Sequence, residues 1–324
     1  MTRILSYNIL VGATHRVNQV EHMIRSVDPD VVGLVEATDP QVVAELAQRL
    51  EMQFVMSGAA VHTRDWQSAL LSRLPIVNWQ SHGGSSDALT KPVLEATLEE
   101  PDGRQITVFV THLSASFSDG RAGDRIRRRE ARELIRVMTP KRGEPHLLMG
   151  DFNGMAPGDP FQASALLGYL VRMDQLHRRA PDAAVGHPNL DFVVPAPLRL
   201  FNPLLRIIPR SRLLCSVFDR AASLYAPRGS IALLRSAGYV DCFRALNPGA
   251  NGFTCPAAAP AGRIDYIFAS PELAANLSAC SVVTAAGGVD GAEASDHLPV
   301  VADFGAPAAK DTLTEPAIEL GNAV

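Results

Sequence analysis

The sequence predicts an α/β chain, arranged as two average domains or as one large α/β or sandwich domain. Two observations carry this. Short β runs alternate with amphipathic helical stretches along most of the chain, and 47% of the 324 residues are hydrophobic, ample for a large core. The formal net charge of -4 gives no global positive field to advertise nucleic acid or an anionic membrane, so any phosphate binding has to be local. The N-terminus lacks a basic region followed by a signal-type apolar core, and no apolar run approaches the roughly 20 residues of a transmembrane helix. The expected location is cytoplasmic. Cys215, Cys242, Cys255 and Cys280 form no CxxC pair, which fits free thiols better than disulfides or a zinc site.

In chain order, Arg3 to Leu10 is a strand candidate with Asn8 near its end. Arg16 to Ser26 has helical spacing, stopped by Asp28-Pro29-Asp30. Val31 to Val35 is an apolar strand closed by Glu36, and Pro40 to Leu50 is an amphipathic helix with Asp39 as its cap and Pro40 at its first position. Five β runs follow: Gln53 to Ser57, Ser68 to Ser72, Ile76 to Gln80, Val93 to Glu99 and Gln105 to His112, the last two joined by the turn Pro101-Asp102-Gly103. The helix Asp124 to Met138 is studded with arginines and reads as a solvated face that Glu130 and Glu133 partly neutralise.

His146 to Asn153 reads HLLMGDFN, a buried strand that stops at a glycine and presents a carboxylate and an amide two residues apart. Phe161 to Leu176 is weakly helical. Arg199 to Tyr225 is basic and cut by Pro203 and Pro209, with Leu213, Leu214, Val217, Phe218, Ala221, Leu224 and Tyr225 on one helical face. Arg263 to Phe268 reads RIDYIF, a strand whose polar face holds Arg263 and Asp265, and such an aspartate is costly unless paired. Ser295-Asp296-His297-Leu298-Pro299 sets an acid beside an imidazole at the mouth of the strand Val300 to Phe304. From Gly305 onward periodicity is lost, so 306–324 is expected to be a disordered tail.

Asn8, Glu36, His112, Asp151, Asn153, Asp265, Asp296 and His297 thus all fall at strand ends or on a polar strand face. Several carboxylates converging on one pocket repel unless a cation joins them, and an all-oxygen set of Glu and Asp suits a hard ion, Mg²⁺ or Mn²⁺. Metal, acid and imidazole around an anion are equipment for in-line attack of water on phosphorus.

Taken together, SYNI around Asn8, LVE at Glu36, THL at His112, GDFN, RIDYIF and SDHLP resemble the endonuclease/exonuclease/phosphatase superfamily, in order and from residue 4 to about 304. The resemblance implies a four-layer αββα sandwich, two mainly antiparallel sheets packed face to face and flanked by helices, with the active site at one edge. It implies one catalytic domain over 1–305 with an insertion at about 178–228. It further implies Glu36 as the main metal ligand with Asn8 beside it and Asp296 near the ion. Asp151, assisted by Asn153, would orient and deprotonate the attacking water. His297, hydrogen-bonded to Asp265, would hold a phosphate oxygen, and His112 would donate to the phosphate or help the leaving group.

Two departures bear on substrate contacts: Leu34-Val35-Glu36 lacks the usual Gln before the glutamate, and Trp66-Gln67-Ser68-Ala69-Leu70 lacks the usual Gly-Asn. The implied activity is Mg²⁺-dependent hydrolysis of a phosphate ester, as a phosphodiesterase, nuclease or phosphatase, without an obligatory protein partner. The alternatives are a lipid or small-molecule phosphodiesterase of the sphingomyelinase type and a catalytically inactive binding protein. Two expectations stand for the stretch from about Leu198 to Tyr225: it borders the cleft, with Arg206, Arg210 and Arg212 as substrate-binding residues on a nucleic acid or phospholipid, or it is an accessory hairpin packed on the sandwich with its arginines solvated.

Overall fold

A computed structural model describes residues 1–59, 66–83, 88–181, 185–194 and 196–305; the tail expected at 306–324 lies outside them. Two six-stranded sheets form the centre. The first has the order β11 (Leu277–Val282), β14 (Val300–Phe304), β1 (Thr2–Asn8), β2 (Val31–Val35), β4 (Ser68–Ser72), β3 (Gln53–Met56). The second runs β5 (Ile76–His82), β6 (Val93–Glu99), β7 (Gln105–His112), β8 (His146–Asp151), β10 (Asp265–Ala269), β9 (Val240–Asp241). A small hairpin, β12 (Ala285–Ala286) and β13 (Val289–Asp290), stands apart. Only β1 with β2 and β7 with β8 pair in parallel; the other pairings within the two sheets are antiparallel.

Hydrophobic pattern explains the layering. Every residue of β2 and β4 is buried, so these strands carry apolar side chains on both faces. Ile4, Val31, Val35 and Leu70 of the first sheet meet Leu94, Val110, Leu147 and Met149 of the second in a core between the sheets. The opposite face of the first sheet packs Leu5, Val32, Leu34 and Leu71 against α1 (Val17–Val27) and α2 (Pro40–Leu50) through Val20, Ile24, Val43 and Leu46. The opposite face of the second sheet holds α3 (Arg121–Met138) and the helix Gly229–Ser236 through Leu134, Met138, Ile231 and Leu234. Each fully buried Leu, Ile or Val contributes about 1.5–3 kcal/mol relative to exposure. Gly33 sits where the sheets approach most closely, since a Cβ there would lie 2.3 Å from Met149 Cε.

Some boundaries differ from the sequence reading. β8 runs two residues further, to Asp151, because Gly150 and Asp151 keep partners on both sides, in β7 and β10. β10 begins at Asp265 rather than Arg263. β11 had no counterpart in the sequence reading, being an edge strand of mostly small and polar residues with a register shift. The stretch expected as an insertion is helical in pieces, Ala196–Phe201, Asn202–Leu205, Ile208–Arg210 and Arg212–Tyr225, as Pro203 and Pro209 require. Behind it lies α4 (Ala163–Arg179). No helix among the described residues is long and apolar enough to cross a membrane.

Candidate active site

Strand register assembles the site. In the second sheet His112 lies opposite Asp151 across the β7–β8 pair, and Asp265 lies opposite Asp151 across β8–β10. Gly150 makes that alignment possible: its φ is 136°, and a Cβ would come within 1.9 Å of the Thr111 carbonyl oxygen. In the first sheet Asn8 pairs with Val35, which puts Glu36 one residue on, with a φ of 60° that turns it out of the strand. The loop Ser295–His297 is pinned from below, where Ser295 Oγ donates to Asn8 O at 2.7 Å and accepts from His297 N at 3.2 Å.

The side chains converge. Asn8 Nδ2 donates to Glu36 Oε1 at 3.1 Å and to Asp151 Oδ2 at 3.2 Å, joining the two sheets. The same Asp151 oxygen lies 3.5 Å from His112 Nε2 and 3.8 Å from His297 Nε2. His297 Nδ1 bonds Asp265 Oδ2 at 2.9 Å. Asn153 has a φ of 47°, so the chain is no longer extended there. Its backbone N–H donates to Asp151 Oδ1 at 2.8 Å and its amide to Leu113 O at 2.9 Å, so it braces Asp151 and the strand end. Asp265, the costly strand aspartate, is thus paired with His297, whereas Arg263 is paired elsewhere, with Asp241 and Asp159.

Burial and charge set the protonation states. Burial, followed by the Asp265 charge, pushes Asp151 up to about 7. Burial depresses His297, but Asp265, Cys255, Asp296 and Asp151 outweigh it and hold the imidazolium well above its ordinary value. His112 goes the other way, held well below the ordinary value by burial, then by Lys91 and His297. The two imidazoles therefore differ at neutral pH, His297 charged and His112 neutral.

Two acidic groupings compete as a cation site. The ligand atoms of Asp151, Asp265 and His297 lie within 4.8 Å of one another, but there the imidazolium already compensates the carboxylates. Glu36 and Asp296 are different. Burial and then the Asp296 charge raise Glu36, burial raises Asp296, and Asp296 Oδ1 is buried without a hydrogen-bond partner. An orphaned carboxylate oxygen facing a second buried carboxylate is the arrangement a hard divalent cation relieves. Asn8, Glu36 and Asp296 thus fit an ion.

Glu36, His112, Asp151, Asn153, Asp296 and His297 line a cleft of about 570 Å³, and Asn8 and Asp265 join it through their hydrogen bonds to Glu36, Asp151 and His297. Several of its residues had no place among the candidates from sequence. Lys91 Nζ donates to Leu113 O at 3.4 Å and sits 4.9 Å from the Trp66 ring, which meets His112 edge-on; burial lowers its pKa to about 8, against Glu36 and Asp151. His187 enters from the insertion and bonds Tyr169 Oη at 2.8 Å. Lys91 lies in the bend two residues before β6, and His187 stands between Gly186 and Pro188. Neither position has a pattern that marks it.

The insertion reaches the cleft through Gly186–Asn189 rather than through its arginines. None of Arg206, Arg210 and Arg212 lines it. Arg206 is held by Asp174 of α4 at 2.7 Å, and Arg210 and Arg212 are exposed around the turn that Pro209 makes. The arginine helix α3 is likewise not a plain solvated face. Arg127 is buried and donates to Ser114 O and Ala115 O, while Glu130 accepts from Ser114 N at 3.0 Å. Together they fix the loop that forms one wall of the cleft.

The profile of the endonuclease/exonuclease/phosphatase family matches residues 5–297. The chain belongs to that family. Solved structures agree on its fold: an AP endonuclease from Archaeoglobus fulgidus superposes with a TM-score of 0.61 at 16% identity, covering 94% of this chain and 99% of the other. A 3'-5' exonuclease from Neisseria meningitidis does so with a TM-score of 0.58 at 18% identity, covering 94% and 100%. Comparison with curated protein sequences finds no significant match. Family members are hydrolases of phosphate esters, and the paired sheets and flanking helices of this chain are the family's sandwich.

Proposed function

We propose that the chain hydrolyses a phosphodiester by attack of water on phosphorus, assisted by Mg²⁺ or Mn²⁺. The observation that supports this best is the convergence of Asn8, Glu36, His112, Asp151, Asn153, Asp265, Asp296 and His297, from both sheets, on one cleft. Asn8, Glu36 and Asp296 would hold the cation, which supplies charge neutralisation for the phosphate. Asp151, with a pKa near neutrality, takes the proton of the attacking water while Asn153 and Asn8 fix its orientation. His297, kept charged and aimed by Asp265, stabilises the negative charge that builds on a phosphate oxygen. His112, neutral, is placed to donate a hydrogen bond to the phosphate or to the departing oxygen. The P–O ester bond breaks as the water oxygen bonds to phosphorus, and the leaving alkoxide recovers a proton.

Two observations bear on the substrate. The neighbouring structures are an AP endonuclease and a 3' phosphatase bound to a product DNA hairpin, which supports a DNA substrate. Against an extended polyanion, Lys91 is the only lysine or arginine among the described residues lining the cleft, and an apolar cavity adjoins it. Incubation with supercoiled plasmid, single-stranded DNA, RNA, bis(p-nitrophenyl) phosphate and phospholipid in parallel, with Mg²⁺, is the test. Turnover of at least one ester is expected. A properly folded protein inert on all of them removes the proposal.

A further inference from the structure

The insertion displays a surface that folded chains ordinarily hide. In the helix Arg212–Tyr225 no residue is buried. Leu213, Leu224 and Tyr225 are 73%, 85% and 78% exposed, and Val217 is also exposed. Positions 213, 217, 220 and 224 recur at helical spacing, so Leu213, Val217 and Leu224 share one outward stripe with Arg220 among them. The helix is nonetheless held firmly from its other side. Phe218 packs in the cluster with Leu167 and Leu170 of α4, and Asp219 accepts from Ser164 N at 2.6 Å and Ser164 Oγ at 2.9 Å. Of the apolar face, Phe218 packs inward, while Leu213, Val217 and Leu224 point away from the protein. A contiguous exposed apolar face of this kind marks an interaction site.

Charge narrows the occupant. Arg210, Arg212 and Arg220 are exposed and have no acidic partner among the described residues, so the apolar stripe is accompanied by free positive charge on a chain of net charge -4. Apolar side chains flanked by arginine are the composition of an element that lies in the headgroup region of an anionic bilayer.

A cavity joins this face to the catalytic cleft. It measures about 390 Å³ and is lined by Ala222 and Tyr225 of the same helix; Phe117, Pro188, Cys255 and Ile264 are shared with the cleft. Among the described residues no charged side chain lines it. A nucleic-acid backbone needs cations along its path, whereas an uncharged passage from an apolar surface to a phosphate site accommodates a hydrocarbon chain.

We propose that the insertion is a lipid-docking element: the outward face of Arg212–Tyr225 seats on an anionic phospholipid surface, and the cavity beneath it takes an acyl chain of a phospholipid whose phosphate ester lies in the cleft. The hydrolytic part rests on the phosphodiesterase reading; the docking part does not.

Sedimentation of the full chain with vesicles tests docking without any turnover. Vesicles of phosphatidylcholine mixed with phosphatidylglycerol are expected to bind the protein about tenfold or more tightly than phosphatidylcholine alone, and salt should weaken the binding. The surface variants Leu213→Asp with Leu224→Asp, and Arg210→Glu with Arg212→Glu and Arg220→Glu, should each abolish it while hydrolysis of soluble bis(p-nitrophenyl) phosphate continues unchanged. Filling the cavity with Ala222→Leu or Ala222→Trp should leave vesicle binding intact and lower phospholipid hydrolysis about tenfold relative to the soluble ester. Several results would overturn the proposal: variants that sediment like the parent, arginine variants that lose plasmid binding in a protein with no affinity for vesicles, or a dimer that the aspartates dissociate without any vesicle binding. Vesicle binding seen only after removal of residues 306–324 would assign the face to that segment instead. A parent that sediments with vesicles but hydrolyses nothing would sink the catalytic reading and leave the docking assignment standing.

Discussion

The catalytic edge of the sandwich and the insertion beside it obey opposite rules. At the edge, charged and polar side chains are buried and many are paired: Asp265 with His297, and Asn8 with Glu36 and Asp151. In the helix Arg212–Tyr225, apolar side chains lie outward, as Leu213, Leu224 and Tyr225 show, and Arg212 and Arg220 are exposed. Buried polar groups persist only where partners offset their desolvation, and exposed apolar stripes persist only where another phase or partner covers them. The difference fits the proposed division of labour, chemistry in the first region and contact in the second.

The largest expected effect tests one exception at the edge, the unpartnered Asp296 oxygen near Glu36. If a divalent cation completes that group, excess chelator abolishes turnover of the soluble diester and Mg²⁺ or Mn²⁺ restores it. Undiminished turnover in chelator removes the cation from the assignment. Next come Asp151→Asn and His297→Ala, each expected to lower kcat by about two orders of magnitude or more with the fold retained by circular dichroism. Their combined loss should fall well short of the product of the two, because both act on one transition state. Near-normal kcat in either variant would show that the residue is a packing element only.

The contrast between the regions also decides what could be read from sequence. That the candidate residues would come together was legible because strand ends carry short-range signals: a buried run, a turn, then a carboxylate, as at Glu36 and Asp151. Register then did the rest, setting His112 and Asp265 on either side of Asp151. Lys91, Trp66 and His187 were missed because their roles depend on which distant segments fold against them. The insertion defeated the pattern differently. Its helix at Arg212–Tyr225 has a real apolar face, but periodicity cannot say whether such a face turns toward a core or away from one. Here Phe218 and Asp219 anchor the opposite side and leave most of the apolar face outside.

Arginines sharpen the comparison on the scale of stability. Arg263 is 1% exposed and bridges Asp159 and Asp241 at 2.6–2.8 Å, with its guanidinium 4.4 Å from the Tyr266 ring centroid. Arg263→Ala leaves two buried carboxylates without their shared cation, with only Arg244 still on Asp159. The expected cost is about 3–5 kcal/mol in chemical denaturation. A cost below about 1 kcal/mol would mean that water enters this network freely.

Arg206 gives the smallest effect and the closest control. Its ion pair with Asp174 is as short, at 2.7 Å, but its side chain is 37% exposed. Solvent screens a pair of that kind, and ordering two side chains offsets much of the Coulomb gain, so the net contribution is at most about 1 kcal/mol. Arg206→Ser should therefore shift the denaturation midpoint only slightly, and kcat and KM for the soluble diester should stay unchanged because Arg206 does not line the cleft. A destabilisation as large as that of Arg263→Ala would show that the insertion is folded into the same cooperative unit as the sandwich edge. In that case the outward apolar face would have to be explained as part of a rigid scaffold, and the separation drawn between the two regions would fail at its energetic root.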